Sequence, residues 1–233
     1  MLEDAWNGTG QFQGTEPIRG FGAVAGVYEE ACQIVVRADS EISTVEELEG
    51  HRVSVGEEES GTKQNALQIL AAYGLNEKLV EEVSLNYTEA AKELENGSID
   101  AFFCTAGAQT AAIANLAQRT GIRFLNVDGA AAARLKKSYP VYDSCIIAAG
   151  TYPGQEEDVS TVGVKAVLLA SDSVSAEVVE ELTALLFEEQ QELDFALPVE
   201  LITEADAAAD GLPVPFHKGA ERYYESRGEK SEN

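Results

Sequence analysis

The sequence has few basic residues and a large excess of acidic ones. It contains 16 Lys and Arg against 41 Asp and Glu, which gives a formal net charge of −25 at pH 7. Nucleic acids and anionic membrane surfaces are bound through Lys and Arg that neutralise phosphates, and no basic stripe interrupts the acidic residues. The composition therefore argues against both partners. Adaptation to salt stays open as a second explanation of the acidity.

Cysteine and histidine, which often carry nucleophilic catalysis and metal binding, are also scarce. Cys32, Cys104 and Cys145 are odd in number and far apart, which fits neither a disulfide framework nor a zinc site, so we expect buried free thiols. His51 and His217 have no Ser or Cys in a nucleophile context, and we expect both at the surface. The sequence thus predicts no catalytic residue, no metal and no cofactor. An acid/base pair among the many carboxylates remains an alternative.

Long apolar runs are missing as well. No segment approaches the roughly 18 consecutive apolar residues of a membrane span. The first residues, Met1 to Asp4, do not have the features of a signal peptide.

The pattern that is present is an alternation of strands and helices along a chain that is 45% hydrophobic, enough to bury a core. Residues 1–22 have turn composition and are predicted to form an ordered loop. Predicted strands cover residues 31–37, 52–55, 82–85, 99–104, 123–127, 145–149 and 161–170; predicted helices cover 43–48, 64–73, 88–96, 108–119, 130–137 and 175–195. A loop with two prolines and a polar run follow. The alternation predicts an α/β fold with a mostly parallel sheet, in which ligands bind beyond the carboxyl ends of strands.

One strand-to-helix junction combines small and hydroxyl residues. Ser60, Gly61 and Thr62 precede a predicted helix that contains Asn65. Backbone N–H groups at such a helix start favour a carboxylate or phosphate, although Ser60 or Thr62 could equally be a plain N-cap with nothing bound. The acidic residues 57–59 must point outward if an anion is to bind there.

Two further loops could add polar contacts. Thr105, Ala106 and Gly107 follow the predicted strand 99–104 and lead through Gln109 and Thr110 into a helix. Hydroxyl and amide groups here could complete a polar wall, although ordinary capping is the more frequent meaning. Tyr152 lies on a glycine-rich bend, where a ligand contact and a simple β-turn are both open.

Seven stretches, read in order, resemble the TAXI family of solute receptors, the binding subunits of tripartite ATP-independent (TRAP) transporters. These stretches are residues 5–10 (Ala-Trp-Asn-Gly-Thr-Gly), 28–39 (ending Val-Val-Arg-Ala-Asp), 52–56, 60–62 with Asn65, 99–103 with Ala106 and Gly107, 149–152 with Gly154 and Gln155, and 215–224. The resemblance extends over nearly the whole chain.

The resemblance implies a type II periplasmic-binding-protein fold that closes over a small carboxylate such as glutamate and presents it to membrane permease subunits. It implies one complete α/β lobe at residues 37–149 and an incomplete lobe formed by residues 1–36 and 150–233. It places Ser60, Gly61, Thr62, Asn65, Ala106 and Gly107 at the ligand, with Tyr28 and Tyr152 near the crossovers. It also implies a periplasmic or extracellular protein without enzymatic activity.

The chain departs from the family at its amino terminus. Family members open with a strand, a Gly-Thr-Gly-Gly loop and further βα units before the Asn-Gly-Thr-Gly stretch, which here lies at residues 7–10. We therefore expect that Met1 is an internal methionine or the edge of a fragment, and that the first lobe lacks part of its sheet.

Two other classes of function remain open from the residues alone. The same fold can carry a cytosolic ligand-sensing module or an enzyme. A remnant that binds nothing is the third alternative.

The expected truncation predicts weak or absent solute binding by residues 1–233. The measurement is titration calorimetry with glutamate on this chain and on a version extended upstream in its own reading frame. Equal and tight binding by both would contradict the expectation, because an incomplete lobe supplies only part of the binding surface.

Overall fold

The computed structural model describes residues 1–189 and 199–231, and for residues 228–231 it describes the backbone only. The chain divides into two compact units. Unit 1 consists of Met1–Glu29 and Lys165–Asn233, and unit 2 consists of Glu30–Val164. Both boundaries fall inside long strands. The assignment of residues 37–149 to a complete lobe, and of the rest to an incomplete one, stays a prediction.

Helices and strands alternate through most of the described chain. In order, the elements are α1 (Leu2–Asn7), a 3-10 turn (Gly10–Phe12), β1 (Phe21–Arg37), a 3-10 turn (Glu46–Leu48), β2 (Arg52–Ser54), α2 (Gly61–Ala72), β3 (Glu81–Val83), α3 (Tyr87–Glu95), β4 (Ala101–Ala106), α4 (Ala111–Arg119), β5 (Ile122–Phe124), α5 (Gly129–Ser138), β6 (Asp143–Ile147), β7 (Val159–Ser171), α6 (Ala176–Glu188), α7 (Ala205–Ala209) and α8 (Lys218–Ser231). The predicted α/β class is confirmed.

The sheet is mixed, so the prediction of a mostly parallel sheet is wrong. Its strand order is β3-β2-β4-β1-β7-β6, and β5 pairs with β1. β2 runs parallel to β3 and β4, whereas β1 runs antiparallel to β4 and β5, and β6 antiparallel to β7. Helix crossovers fix the direction of β2, β3 and β4, as expected. β1 opposes them because no crossover helix joins it to these strands.

Residues 1–22 contain more structure than the predicted loop. They form α1 and a 3-10 turn, and the ring of Trp6 packs edge-on against Phe21 at 5.4 Å between centroids. A helix of six residues is too short to show a hydrophobic period, which is why its pattern was not visible in the sequence.

Several boundaries also differ from the prediction. α2 begins at Gly61 instead of residue 64, and α4 begins at Ala111 instead of residue 108. β1 begins ten residues earlier than the predicted strand, at Phe21. The predicted helix 175–195 is present as α6, and its residues 190–195 lie outside the described part of the chain.

The core of unit 2 lies on both faces of the sheet. One face packs β1, β2 and β4 against α2 and α5 through fully buried side chains such as Ile34, Val53 and Ile69. The other face packs Phe102 and Val35 against α3 and α4. Burial on both faces holds the ends of the central strands in fixed positions.

Unit 1 is centred on the pair of helices α6 and α8. Val179 of α6 and Ala220 of α8 are buried together with Val24 of β1. A Cβ atom on Gly219 would collide with the carbonyl oxygen of Ala176 and would lie 2.7 Å from the Glu180 nitrogen. Both are backbone atoms that cannot move aside, so glycine is what allows the helices to approach this closely.

Gly219→Ala should therefore destabilise unit 1. We expect a loss of about 1–3 kcal/mol in the free energy of unfolding, the usual cost of overpacking a core. The measurement is urea unfolding followed by the fluorescence of Trp6, the single tryptophan, which lies in unit 1.

Gly61→Ala is the matched control. A Cβ at Gly61 meets no atom within 4 Å, so this change should leave stability equal or slightly raised. Equal stability of the Gly219 and Gly61 variants would show that the α6–α8 contact tolerates a methyl group.

Candidate functional site

The candidate site lies in unit 2, where β2 and β4 end next to each other. The two strands are parallel neighbours, with Ser54 opposite Phe102. β2 leads into the loop before α2, and β4 leads into the loop before α4. The structure thus brings the two predicted junctions to one edge of the sheet.

Ser60 is the N-cap of α2. Its hydroxyl oxygen accepts a hydrogen bond from the Lys63 amide at 3.0 Å. The amides of Gly61 and Thr62 lie in the first helical turn, where the helix itself offers no acceptor four residues back. The plain N-cap and the anion cradle are thus compatible, because capping uses the Lys63 amide.

Gly56 makes the close loop before α2 possible. Its φ is +101°, and a Cβ there would lie 2.9 Å from Cγ2 of Thr62 and 3.0 Å from Oγ of Ser60. Both the backbone conformation and the space require glycine. Thr62 can therefore reach the end of β2.

The three glutamates in this loop, Glu57 to Glu59, are exposed to solvent. Glu58 pairs with Nζ of Lys63 at 2.7 Å and accepts a hydrogen bond from the Ser84 hydroxyl at 2.7 Å. These two hydrogen bonds hold the pKa of the Glu58 carboxyl below its usual range, and the bond from Lys63 has the larger effect. The charge of Lys63 is thus directed to Glu58, and the positive potential of the loop comes from backbone amides.

The Thr62 hydroxyl is oriented by Tyr87. The Tyr87 hydroxyl donates to the carbonyl oxygen of Thr105 at 2.9 Å and lies 2.6 Å from Oγ1 of Thr62. Burial raises the pKa of Tyr87 to about 12, so the phenol keeps its proton at neutral pH. Because a phenol has a single hydrogen, the Thr62 hydroxyl is the donor to Tyr87. The oxygen of Thr62 is left as an acceptor.

Asn65 connects the two loops. Its amide nitrogen donates to Oγ1 of Thr105 at 3.3 Å. The Tyr142 hydroxyl lies 2.9 Å from the Asn65 side-chain oxygen and 2.6 Å from that of Gln68, and it can donate to one of them at a time. Burial raises the pKa of Tyr142, which stays a neutral hydroxyl.

The second loop contains Ala106 and Gly107 and is closed by Thr110. The Thr110 hydroxyl donates to the Gly107 carbonyl at 2.9 Å, and the Thr110 amide donates to the Tyr152 hydroxyl at 3.0 Å. Gln109 has a φ of +66°, a left-handed conformation that is unusual for a residue with a side chain. The only other described non-glycine residue with positive φ is Glu59, so both cases lie directly before the N-caps at this site.

Tyr152 lies behind the second loop, and Tyr28 belongs to unit 1. Tyr152 is 1% exposed, and its hydroxyl donates to the side-chain oxygen of Gln33 at 2.6 Å. The bend around it is a hydrogen-bonded turn, in which the Gly150 amide donates to the Gln155 carbonyl at 2.8 Å. Tyr28 forms an antiparallel bridge with Leu201. Contact of the eight predicted residues with a solute stays a prediction.

Sequence reasoning missed three residues of this network: Gln33, Tyr87 and Tyr142. Gln33 is 1% exposed in an otherwise apolar stretch of β1, and an isolated amide in such a strand was the signal that could have found it. The two tyrosines carry no such signal, because a tyrosine at the start of a helix or after a turn is common.

Two of the three free cysteines are buried, as predicted. Cys32 and Cys104 are buried, and burial is the main cause that raises the pKa of each thiol to about 12. Cys145 is partly exposed. Thiols with such pKa values are not nucleophiles at neutral pH.

His217 is buried, so the expectation that both histidines lie at the surface is wrong for this one. Its Nδ1 accepts a hydrogen bond from the Gly219 amide at 3.2 Å, and its own amide donates to the Ala23 carbonyl at 2.8 Å. These bonds pair Nδ1 of the ring and the backbone amide, and they hold the start of α8. His51 lies at the surface with Nδ1 3.2 Å from Asp100.

Within residues 1–189 and 199–231, no group of three or more His, Cys, Asp or Glu side chains is arranged to hold a metal ion. In the same residues, no helix combines the length and the apolar character needed to cross a bilayer.

The burial of the thiols predicts their reactivity. With an aromatic disulfide reagent at pH 8, the native protein should expose one fast thiol, Cys145, and unfolding in urea should expose all three. Cys145→Ser should remove the fast phase. Rapid labelling of Cys32 or Cys104 in the folded protein would contradict the packing described for β1 and β4.

Comparison with solved structures finds matches at low identity and low TM-score. The periplasmic aliphatic sulphonate binding protein SsuA from Escherichia coli is 19% identical with a TM-score of 0.45, over 89% of this chain and 65% of that one. The alkanesulfonate-binding protein SsuA from Xanthomonas axonopodis pv. citri, bound to MOPS, is 16% identical with a TM-score of 0.43, over 88% and 59%. An ancestral arginine-binding protein bound to glutamine is 17% identical with a TM-score of 0.39, over 87% and 63%. The chain therefore spans less than two thirds of the length of these proteins.

Comparison with protein families finds a match over nearly the whole chain. The model of the NMT1-like family matches residues 1–228. The chain belongs to the NMT1-like family.

Proposed function

We propose that this protein is a solute-binding receptor without enzymatic activity, which binds a small carboxylate such as glutamate. The observation that carries the proposal is the pair of loops at the ends of β2 and β4. They place the amides of Gly61 and Thr62 beside the polar side chains of Asn65 and Thr105 at one edge of the sheet. Solutes bind at this edge in α/β proteins.

The local electrostatics favour an anion even though the protein is strongly acidic. Amides in the first turn of α2 carry the positive end of the helix dipole. The nearby residues Glu57 to Glu59 are exposed, and Glu58 among them is engaged by Lys63. In this proposal an anion at the loop is bound by backbone N–H groups.

The Thr62 oxygen supports a solute with a donor beside its carboxylate. Because Thr62 donates its hydrogen to Tyr87, its lone pairs can accept a hydrogen bond from an ammonium or hydroxyl group. An amino acid offers both a carboxylate and an ammonium group. This is the chemical reason for choosing glutamate over a simple dicarboxylate.

Membership of the NMT1-like family and the resemblance to TAXI receptors support the wider role. In this proposal the protein has a type II periplasmic-binding-protein fold, acts outside the cytoplasm and delivers its solute to the permease subunits of a TRAP transporter. Recognition would be a shift between conformations that only the bound solute stabilises, and no reaction follows.

Thr62→Val tests the site. The variant keeps the shape of the side chain and removes the hydroxyl, so we expect about tenfold weaker binding of L-glutamate, as for the loss of one or two hydrogen bonds. The measurement is calorimetry at millimolar glutamate, with glutarate, which lacks the ammonium group, as a second solute. Glutarate should bind more weakly than glutamate to the wild type and should distinguish the two proteins less.

Thr88→Val is the matched control. Thr88 is exposed on α3, so this substitution makes the same chemical change away from the loops. It should bind as the wild type does. Equal effects of the two substitutions, or turnover of glutamate during the titration, would contradict the proposal.

A further inference from the structure

Gln33 is a fully buried amide in the middle of β1 of unit 2. It is 1% exposed, and its neighbours Cys32 and Ile34 are buried apolar residues. Burying an amide costs free energy unless its hydrogen bonds are replaced within the protein. A buried glutamine at this place therefore needs a physical reason.

The side-chain hydrogen bonds of Gln33 reach the loop between β4 and α4 either directly or through Tyr152. Its oxygen accepts from the Tyr152 hydroxyl at 2.6 Å. Its nitrogen donates to the Ala106 carbonyl at 3.4 Å and lies 3.3 Å from the Thr110 hydroxyl oxygen. One side chain thus holds both ends of the loop, Ala106 at its start and Thr110 at its end.

Tyr152 extends the same contact. Its hydroxyl donates its single hydrogen to Gln33 and accepts from the Thr110 amide at 3.0 Å. Burial is the main cause that raises the pKa of Tyr152, which keeps the phenol protonated and the direction of the bonds fixed. The Thr110 amide lies at the N-cap of α4, so the hydroxyl takes the place of a helix partner.

The loop needs this support because its backbone is strained. Gln109 has a φ of +66°. It lies between Ala106, which is bonded to Gln33, and Thr110, which is bonded to Tyr152. Such conformations cost free energy and persist where the surroundings over-determine them.

We propose that Gln33 is a positioning residue that, through Tyr152, sets the conformation of the Ala106–Thr110 loop. Its effect on solute binding rests on the function proposed above, whereas its effect on the loop does not. Gln33 does not contact the solute in this proposal. It acts by keeping the Gly107 amide and the start of α4 in one position relative to the first loop.

Tyr152→Phe and Gln33→Met test the proposal by removing the polar atoms while preserving most of the side-chain volume. The measurement is hydrogen–deuterium exchange of peptides that cover residues 105–112, compared with peptides of α2 and β2. We expect at least about fivefold faster exchange at the loop in each variant, the effect of one lost hydrogen bond, and little change elsewhere. Tyr139→Phe, at an exposed tyrosine, is the matched control and should leave the loop unchanged.

The double variant, Gln33→Met with Tyr152→Phe, tests whether the two residues act together. If they act as one support, the double variant should exchange no faster than about the faster single variant, because coupled sites are not additive. Thr110→Val should also loosen the loop, and Thr110→Ser, which keeps the hydroxyl, should restore it.

Two results would overturn the proposal: loop exchange equal to that of Tyr139→Phe, or faster exchange that is the same throughout unit 2, which would indicate general destabilisation. If Gln33→Met fails to fold, Tyr152→Phe and the Thr110 pair decide by the same criteria. Calorimetry with L-glutamate is the separate arm. If the version extended upstream binds no tested acid, the proposed function is refuted, while the exchange result still decides the role of Gln33.

Discussion

The structure of unit 2 depends on one constraint: most polar groups buried near the ends of β2 and β4 find hydrogen-bond partners inside the protein, the Ser54 hydroxyl being an exception. Gln33, Thr62 and Tyr142 are almost fully buried, and each is bonded to a residue far away in sequence. An unpaired group here would cost more than the bond it lost. This requirement links the two loops through the hydrogen bond from Asn65 to Thr105.

The same network is the basis for proposing that a protein with a net charge of −25 binds an anion. The groups around the loops are amides and neutral hydroxyls, and the tyrosines among them keep their protons because burial opposes ionisation. The carboxylates of Glu57 to Glu59 occupy exposed positions, where water screens them, whereas burial raises the pKa of Glu82 on β3. Burial thus separates the two kinds of group: the charged side chains before α2 lie in contact with solvent, and oriented dipoles lie in the interior.

Much of the fold could be predicted because local patterns dominate it. The βα steps from β2 to β4 follow from apolar periodicity and from capping residues such as Ser60 and Asn86, whose side chains do cap α2 and α3. The direction of β1 and the helix at residues 2–7 could not be predicted in the same way. A strand that leaves one unit for the other has no crossover helix to fix its direction, and a six-residue helix shows no period.

By itself, the sequence determined the α/β class, the position of the two strand-to-helix loops, and the burial of Cys32 and Cys104. These properties depend on residues that are neighbours along the chain. Only the tertiary structure decided that Gln33 reaches Tyr152, that Tyr87 orients Thr62, and that His217 is buried against Ala23. Hydrogen bonds between residues as far as 200 positions apart, such as that from the Tyr224 hydroxyl to the Val24 carbonyl, leave no local pattern, because their geometry exists only after the strands and helices have packed.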